Sequence, residues 1–164
     1  MGVVANHPRK ILGAGAIAMA VAAVLPLIKQ EEGLRTVGYR DLVGVPTFCY
    51  GGTGRQAVVG RTYTLPACQT QVAQDALKHA QAIAPCIHVA IPPESFAAFI
   101  SFSYNVGAGG FCRSSIVRHL NAGDLKDACA GLSAYVYAGG KRVQGLVNRR
   151  AQERALCERG VVSR

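Results

Sequence analysis

The sequence predicts an α+β fold: a small β lobe followed by a helical lobe, with a weakly hydrophobic helix in front of both. Three observations carry this. Residues 11 to 28, ILGAGAIAMAVAAVLPLI, contain no charge. Residues 37 to 63 are rich in Gly, Thr, Tyr and Val, with turn signals at GG and TG, and read as short strands and loops. From Thr64 onward the pattern turns helical. Strands segregated from helices define the α+β class. The 164 residues suffice for one domain with a sizeable core, and a chain that is 50% hydrophobic is not disordered.

The first helix is a candidate membrane segment. As a helix, residues 11 to 28 would span about 27 Å, just short of a hydrocarbon core of about 30 Å. Arg9 and Lys10 precede it, the positive-inside arrangement for export of the downstream chain. Eight of its 18 residues are Gly or Ala, which gain little from lipid, and Pro26 weakens the helix near its end. It therefore reads as a weak anchor. Ala20-Val21-Ala22 also offers a small-residue cleavage site, so a cleaved signal peptide stays open. A buried helix of a cytosolic protein ranks third, because it makes the basic flank a coincidence. The expected divisions are a basic tail at 1–10, the apolar segment at 11–28 and one domain at 29–164.

The later elements follow from caps and periodicity. Thr64 can cap a helix, Pro66 suits its first turn, Val72, Ala76, Ala80 and Ile83 recur at helical spacing, and Pro85 ends it. A second helix opens at Pro93 and Glu94, repeats Phe96, Phe99, Ile100 and Tyr104, and stops at glycines. Its aromatic stripe reads as core. Two helices are expected near residues 113–121 and 124–137, then a loop at AGGKRVQG and a last helix at 146–158.

The net charge of +9 and a pI of about 9.6 favour anionic surroundings, whether nucleic acid, phospholipid head groups or cell-wall polymers. Part of the charge is local: the last 24 residues hold Lys141, Arg142, Arg149, Arg150, Arg154, Arg159 and Arg164 against Glu153 and Glu158. That run reads as a solvated basic face, not a polyanion site. The six cysteines form no CxxC and do not cluster with histidines, which argues against zinc. Their even count suits three disulfides if the chain is exported, and buried thiols if it is not. His7, His79, His88 and His119 show no mutual spacing and read as exposed or core residues.

The chemistry concentrates in EEGLRTVGYRDLVGVPTFCYGG, residues 31 to 52. Glu32 precedes a glycine at the expected end of a short helix. Asp41 stands at the entry to the β lobe, nine residues on, and Thr47 follows six later, past a turn at Gly44. Glycoside hydrolysis needs two carboxylates facing across a cleft, one protonated to donate to the leaving oxygen and one ionised. A Thr hydroxyl can hold a water without adding charge. Spacing alone does not separate this from ordinary surface acids.

The specific letters do. The EG pair, GYRD, VGVPT and CYGGTG resemble the catalytic signature of the phage-type lysozymes, the glycoside hydrolase family 24 muramidases. SFSYNVGAGGF at 101–111, LNAGD at 120–124 and AGGKRVQGLVNRRAQE at 138–153 extend the likeness, which covers roughly residues 30 to 158. The cysteine positions and the weak apolar span resemble the signal-anchor-release endolysins of lambdoid phages. The resemblance implies a lysozyme-like fold and an endolysin that needs no cofactor or metal. Such an enzyme hydrolyses the β-1,4 bond between N-acetylmuramic acid and N-acetylglucosamine in peptidoglycan and lyses the host. The family's acid falls on Glu32, its second carboxylate on Asp41 and its threonine on Thr47, with inversion of configuration. The arginine that pairs with the acid falls on Arg149, with Arg150 as second choice; that cation opposes protonation of Glu32, so burial or substrate must compensate. Asn105 is a candidate substrate contact or a helix cap, whereas Tyr39 and Tyr50 read as lobe core. Many relatives carry His where this chain has Gly52, which puts the packing of the lobe in question there.

The likeness also implies partners and places. Export through the Sec machinery leaves a monomer tethered in the inner membrane by residues 11–28, N-terminus in the cytoplasm and inactive. Release into the periplasm then activates it. Residues 1 to 48 hold no cysteine, so release is expected to follow loss of membrane potential, not thiol exchange. Six cysteines allow 15 pairings; local closure favours Cys49–Cys68, Cys86–Cys112 and Cys129–Cys157. Three competing readings are a module whose basic helix binds nucleic acid or anionic lipid, a membrane-structural protein that merely displays the domain, and a lytic transglycosylase that uses one acid and no water. Nucleic acid is not the expected partner.

Overall fold

The structure is a computed structural model and describes residues 12–162. The basic tail expected at 1–10, with His7, Arg9 and Lys10, lies outside the described residues.

The apolar segment continues into the helix that carries the first acid. Helix α1 runs Ala14–Glu32 without interruption and ends at Gly33, whose φ of 68° is in the left-handed region. The sequence suggests a separate short helix before Glu32. The structure joins the two because Lys29, Gln30 and Glu31 all favour helix and no breaker stands between. The expected boundary at 28/29 therefore falls inside α1. Ala20, Val24, Leu27 and Ile28 recur at helical spacing and are buried. Gly15, Ala18, Met19 and Ala22 face outward.

The β lobe is a hairpin of β1 (Arg35–Arg40) and β2 (Pro46–Cys49), antiparallel, with Tyr39 opposite Thr47 and Arg40 opposite Pro46. A bridge from Val37 to Thr62 folds the 50–63 loop back against it. Gly38 is required there, since a Cβ would sit 2.0 Å from the Val58 carbonyl oxygen.

The helical lobe begins with α2 (Leu65–Ile83), whose first turn Thr64 caps by accepting the Ala67 N–H at 3.3 Å. Central α3 (Pro93–Val106) is buried continuously from Ser95 to Ser103 and packs against α1, α2 and the last helix. Short helices α4 (Ala108–Cys112), α5 (Ser115–Asn121) and α6 (Leu125–Gly131) follow, then a hairpin of β3 (Tyr137–Ala138) and β4 (Lys141–Arg142), then α7 (Gln144–Val162). The helix expected over 124–137 stops at Gly131, and the expected loop at 138–145 holds the β3–β4 turn. Gly139 and Gly140 form that turn with φ of 55° and 74°.

Three disulfides join Cys49 to Cys68, Cys86 to Cys112 and Cys129 to Cys157, with Cα separations of 5.0, 5.6 and 5.6 Å. The first ties the β lobe to α2, and the third ties α6 to α7. Cys86 and Cys112 stand on either side of α3 in sequence. Helix α4 makes their bridge possible by turning the chain back toward α2.

Candidate active site

Glu32 is the last residue of α1, so Gly33 releases the chain into β1 just after it. Its Oε1 accepts from Arg149 NH1 at 2.8 Å. Its Oε2 lies against the backbone of Gly51, where a Cβ would come within 3.2 Å. Gly51 also has a φ of 75°, a backbone conformation that favours glycine, and a Cβ there would crowd the Glu32 carboxylate. The carboxylate is thus held between the two lobes.

Asp41 and Thr47 come from the β hairpin. Asp41 Oδ1 accepts the backbone N–H groups of Val43 at 3.0 Å and Val45 at 2.8 Å, closing an Asx turn. Arg40 braces the same turn by donating to the Gly44 carbonyl at 2.9 Å. Thr47 is buried, and its hydroxyl donates to the Val45 carbonyl at 2.9 Å, which leaves its lone pairs free to accept.

Behind Glu32 lies a buried charge network. Arg149 Nε donates to Glu153 Oε1 at 3.1 Å, and Arg149 NH2 donates to the Ser101 carbonyl at 3.1 Å. The Ser101 hydroxyl donates to Glu153 Oε1 at 2.7 Å. Arg150 NH1 stands 3.1 Å from Glu153 Oε2, close enough for an ion pair but not aligned as a hydrogen bond. Arg150 also donates to Asn105 Oδ1 and lies over the Phe102 ring at 4.7 Å. Arg149, Arg150 and Glu153 are 5%, 1% and 0% exposed. This part of α7 is not the solvated basic face that composition suggests, because neighbouring charges of opposite sign allow it to be buried. Burial pushes the Glu153 carboxyl up, opposed by Arg150, Ser101 and Arg149; burial also pushes the Arg150 guanidinium down, opposed by Glu153.

A second set of side chains lines a cavity of about 410 Å³ beside Gly51: Thr53, Asp75, Lys78, His79 and Tyr104. His79 Nδ1 meets the Ser103 hydroxyl at 3.2 Å, and burial holds its imidazole below the ordinary value, opposed by Asp75 and Glu32. Burial pushes the Tyr104 hydroxyl up; it donates to the Tyr50 carbonyl at 2.9 Å. Gln71 joins these parts, accepting the Tyr50 N–H at 3.0 Å and donating to Tyr104 at 3.2 Å and Asp75 at 2.8 Å. A Cβ on Gly52 would meet Gln71 Cγ and Phe48 Cε1 at 2.8 Å each. The space a side chain at 52 would need is therefore filled, and the lobe packs without one.

Of the residues singled out from sequence, Glu32 and Arg149 touch, and Asp41 and Thr47 share one hairpin. Asn105 reaches Arg150, and the backbone N–H that closes α3 belongs to Gly107. Tyr50 is buried, and Tyr39 is half-buried under Arg35 at 4.4 Å. Sequence reasoning missed Glu153, Ser101, Gln71 and Gly51. The spacing of four between Arg149 and Glu153 is a usable signal for an ion pair, though not for its burial. His119, Asp124 and Asp127 each offer one atom within 4.8 Å of the others, but all are exposed and Asp124 caps α6.

A glutamate at the end of one helix, held between a small β hairpin and a helical lobe built on a central apolar helix, defines a lysozyme-like protein. The phage lysozyme family profile matches residues 29–153. This chain belongs to that family. It is 43% identical to a SAR-endolysin of Bacteriophage PS119 over 93% of this chain and 92% of that one. It is 41% identical to the SAR-endolysin of Enterobacteria phage P21 over 89% and 90%. Its fold superimposes on the active form of the P1 phage endolysin Lyz with a TM-score of 0.77 and 25% identity, covering 90% and 94% of the two chains.

Proposed function

We propose that this protein is an endolysin that hydrolyses the β-1,4 bond between N-acetylmuramic acid and N-acetylglucosamine in peptidoglycan, inverting configuration. The observation that carries it is the placement of Glu32 between Gly51 and Arg149, with Asp41 and Thr47 on the hairpin that begins just after Glu32. Glu32 protonates the bridging oxygen. Asp41 and Thr47 position and activate the attacking water. The Thr47 hydroxyl proton is taken by Val45, so the threonine meets that water as an acceptor. Asp41 keeps one oxygen in its own turn, which fixes the carboxylate without a cation. Arg149 divides its charge between Glu32 and Glu153 and so does not face Glu32 alone. No metal or cofactor is required.

Activation follows from the continuity of α1. While its apolar part lies in lipid, the same helix cannot lie against α3, and Glu32 cannot reach Arg149. Release lets α1 dock, where Gln30 and Glu31 meet Gln152 at 3.0 Å each, one turn beyond the Glu32–Arg149 pair. The tethered form is therefore inactive at the inner membrane after Sec export. The released monomer is active in the periplasm, with peptidoglycan as its partner and no role for nucleic acid. Helix α1 is long and apolar enough to cross a membrane, and two of the relatives named above are SAR-endolysins, which supports this order of events.

The test is Glu32→Gln assayed on purified peptidoglycan. Loss of the proton donor lowers turnover by roughly 10²–10⁴-fold with an unchanged thermal midpoint. Near-normal turnover of a folded variant would remove the assignment. Asp41→Asn then separates mechanisms: a hydrolase loses activity, whereas a lytic transglycosylase keeps it and yields anhydro products.

A further inference from the structure

We infer that the tip of the β lobe is a lipid-docking surface, which lays the tethered protein against the anionic bilayer with the Asp41 turn in the interface. This rests on the anchored state proposed above. The tip is the turn that Asp41 closes. Its side chains Leu42 and Val43 are 107% and 83% exposed, the most exposed large aliphatics on the lobe. Leu34, Val37, Val45, Val58 and Val59 are also exposed on this lobe, so the apolar surface is not confined to the tip.

Two observations select a membrane as the occupant. The first is chain continuity. Only Gly33 and Leu34 separate the end of α1 from β1, so a lobe attached to a membrane-held α1 has no linker to carry it into bulk solvent. The second is charge. Residues 33–64 hold Arg35, Arg40, Arg55 and Arg61 against one acid, Asp41, whose Oδ1 is engaged by its own turn. Arg40 is fixed beside the tip through the Gly44 carbonyl. Exposed aliphatics flanked by arginines suit the boundary between acyl chains and anionic head groups. The backbone N–H groups of Val43, Gly44 and Val45 are already paired to Asp41, which lowers the cost of leaving water. Docking there covers Asp41, so it closes the cleft from the β side while α1 is held away from the other.

The chain contains no tryptophan, so a single introduced one is a unique probe. The full chain carrying Leu42→Trp is mixed with vesicles of phosphatidylglycerol and phosphatidylethanolamine, with acyl chains brominated for quenching. Tyr137→Trp, on the β3–β4 hairpin of the other lobe, serves as the comparison. The expected result is a blue shift and quenching at position 42 but not at 137, weaker on phosphatidylcholine vesicles and at high salt. Leu42→Ser with Val43→Ser should lower the fraction of protein held with its lobe at the surface by about tenfold, read as loss of protection of the 41–45 turn from protease. If the protein co-sediments with vesicles but the indole at position 42 stays in water, α1 anchors alone and the docking surface is refuted while the anchor stands. If nothing co-sediments, both fail. A shift at position 42 with soluble muropeptides and none with vesicles also overturns it, and makes the tip a substrate contact instead.

Discussion

Glu153 is the residue on which the buried charges behind the site depend. It lies between two arginines that are themselves almost wholly buried, and it accepts from Ser101. Removing one partner from such a set leaves uncompensated charge in low dielectric, which costs more than the set contributes. Glu153→Ala is therefore expected to lower stability by about 3–5 kcal/mol, measured by urea denaturation. It should also reduce turnover, because Arg149 loses the carboxylate that orients it toward Glu32. His79 gives a pH signature. Burial holds its folded-state value below the ordinary 6.5, so the unfolded chain binds its proton more readily. Stability from this source is retained above about pH 6.5 and declines as pH falls through it. Thermal midpoints of wild type between about pH 5 and 7.5 should fall toward acid, and His79→Gln should flatten that slope. At this scale a motif in the sequence leads to the Glu32–Arg149 contact and to the one hairpin that carries Asp41 and Thr47. The sequence is opaque where a role depends on burial. Arg150 and Glu153 look like solvent-exposed charges in one dimension and turn inward only because α7 packs on α3. Gln71 fills the space beside Gly52 from 19 residues away along the chain, so no local pattern could announce it.

Elements were readable in proportion to their length and their caps. Helix α2 carries a capping threonine, an early proline and a continuous apolar period, and its observed bounds match those signals. Of the stripe the sequence suggests for α3, Phe96, Phe99 and Ile100 are buried core, whereas Tyr104 is part-buried and lines the cavity beside Gly51. The misses are short. Helix α4 forms in a glycine-containing stretch, Ala108–Cys112, that local propensity disfavours. Its Cys112 is bridged to Cys86, and Phe111 is fully buried against Phe99 and Phe102, so tertiary contacts supply what propensity lacks. The β3–β4 hairpin has two residues a side, too few for an alternating pattern to register. Helix α1 was legible as an apolar helix, but not as a core element. Its buried stripe, Ala20, Val24, Leu27 and Ile28, is made of small and aliphatic residues in a segment where nearly every residue is small or aliphatic. Periodicity has no contrast there.

For the whole molecule, the activation proposed above depends on that lack of contrast. In that proposal one helix is stable in two places, and its two faces can be changed separately. Gly15, Ala18 and Ala22 lie on its exposed face at spacings of three and four, and a Cβ at Gly15 meets nothing within 4 Å. Leucine at these three positions leaves the docked form nearly unchanged. In lipid the added carbons gain on the order of 8 kcal/mol, taking about 0.8 kcal/mol for each. The balance shifts toward the anchored state, so the triple variant should fractionate with the membrane at full length, and lysis should be delayed or lost. Ala20→Phe works from the opposite face. Ala20 is fully buried, so the larger ring obstructs docking through overpacking, and lysis should fall even when the protein is recovered in the periplasm. Cell fractionation and a lysis curve, run on both variants beside wild type, separate the two steps. Wild type should appear in both membrane and periplasmic fractions, beginning at or near Met1. If the active wild-type enzyme instead began near residue 23, about half of α1, and with it most of the apolar span, would be removed. The balance between lipid and protein would then control nothing, and simple secretion would replace it.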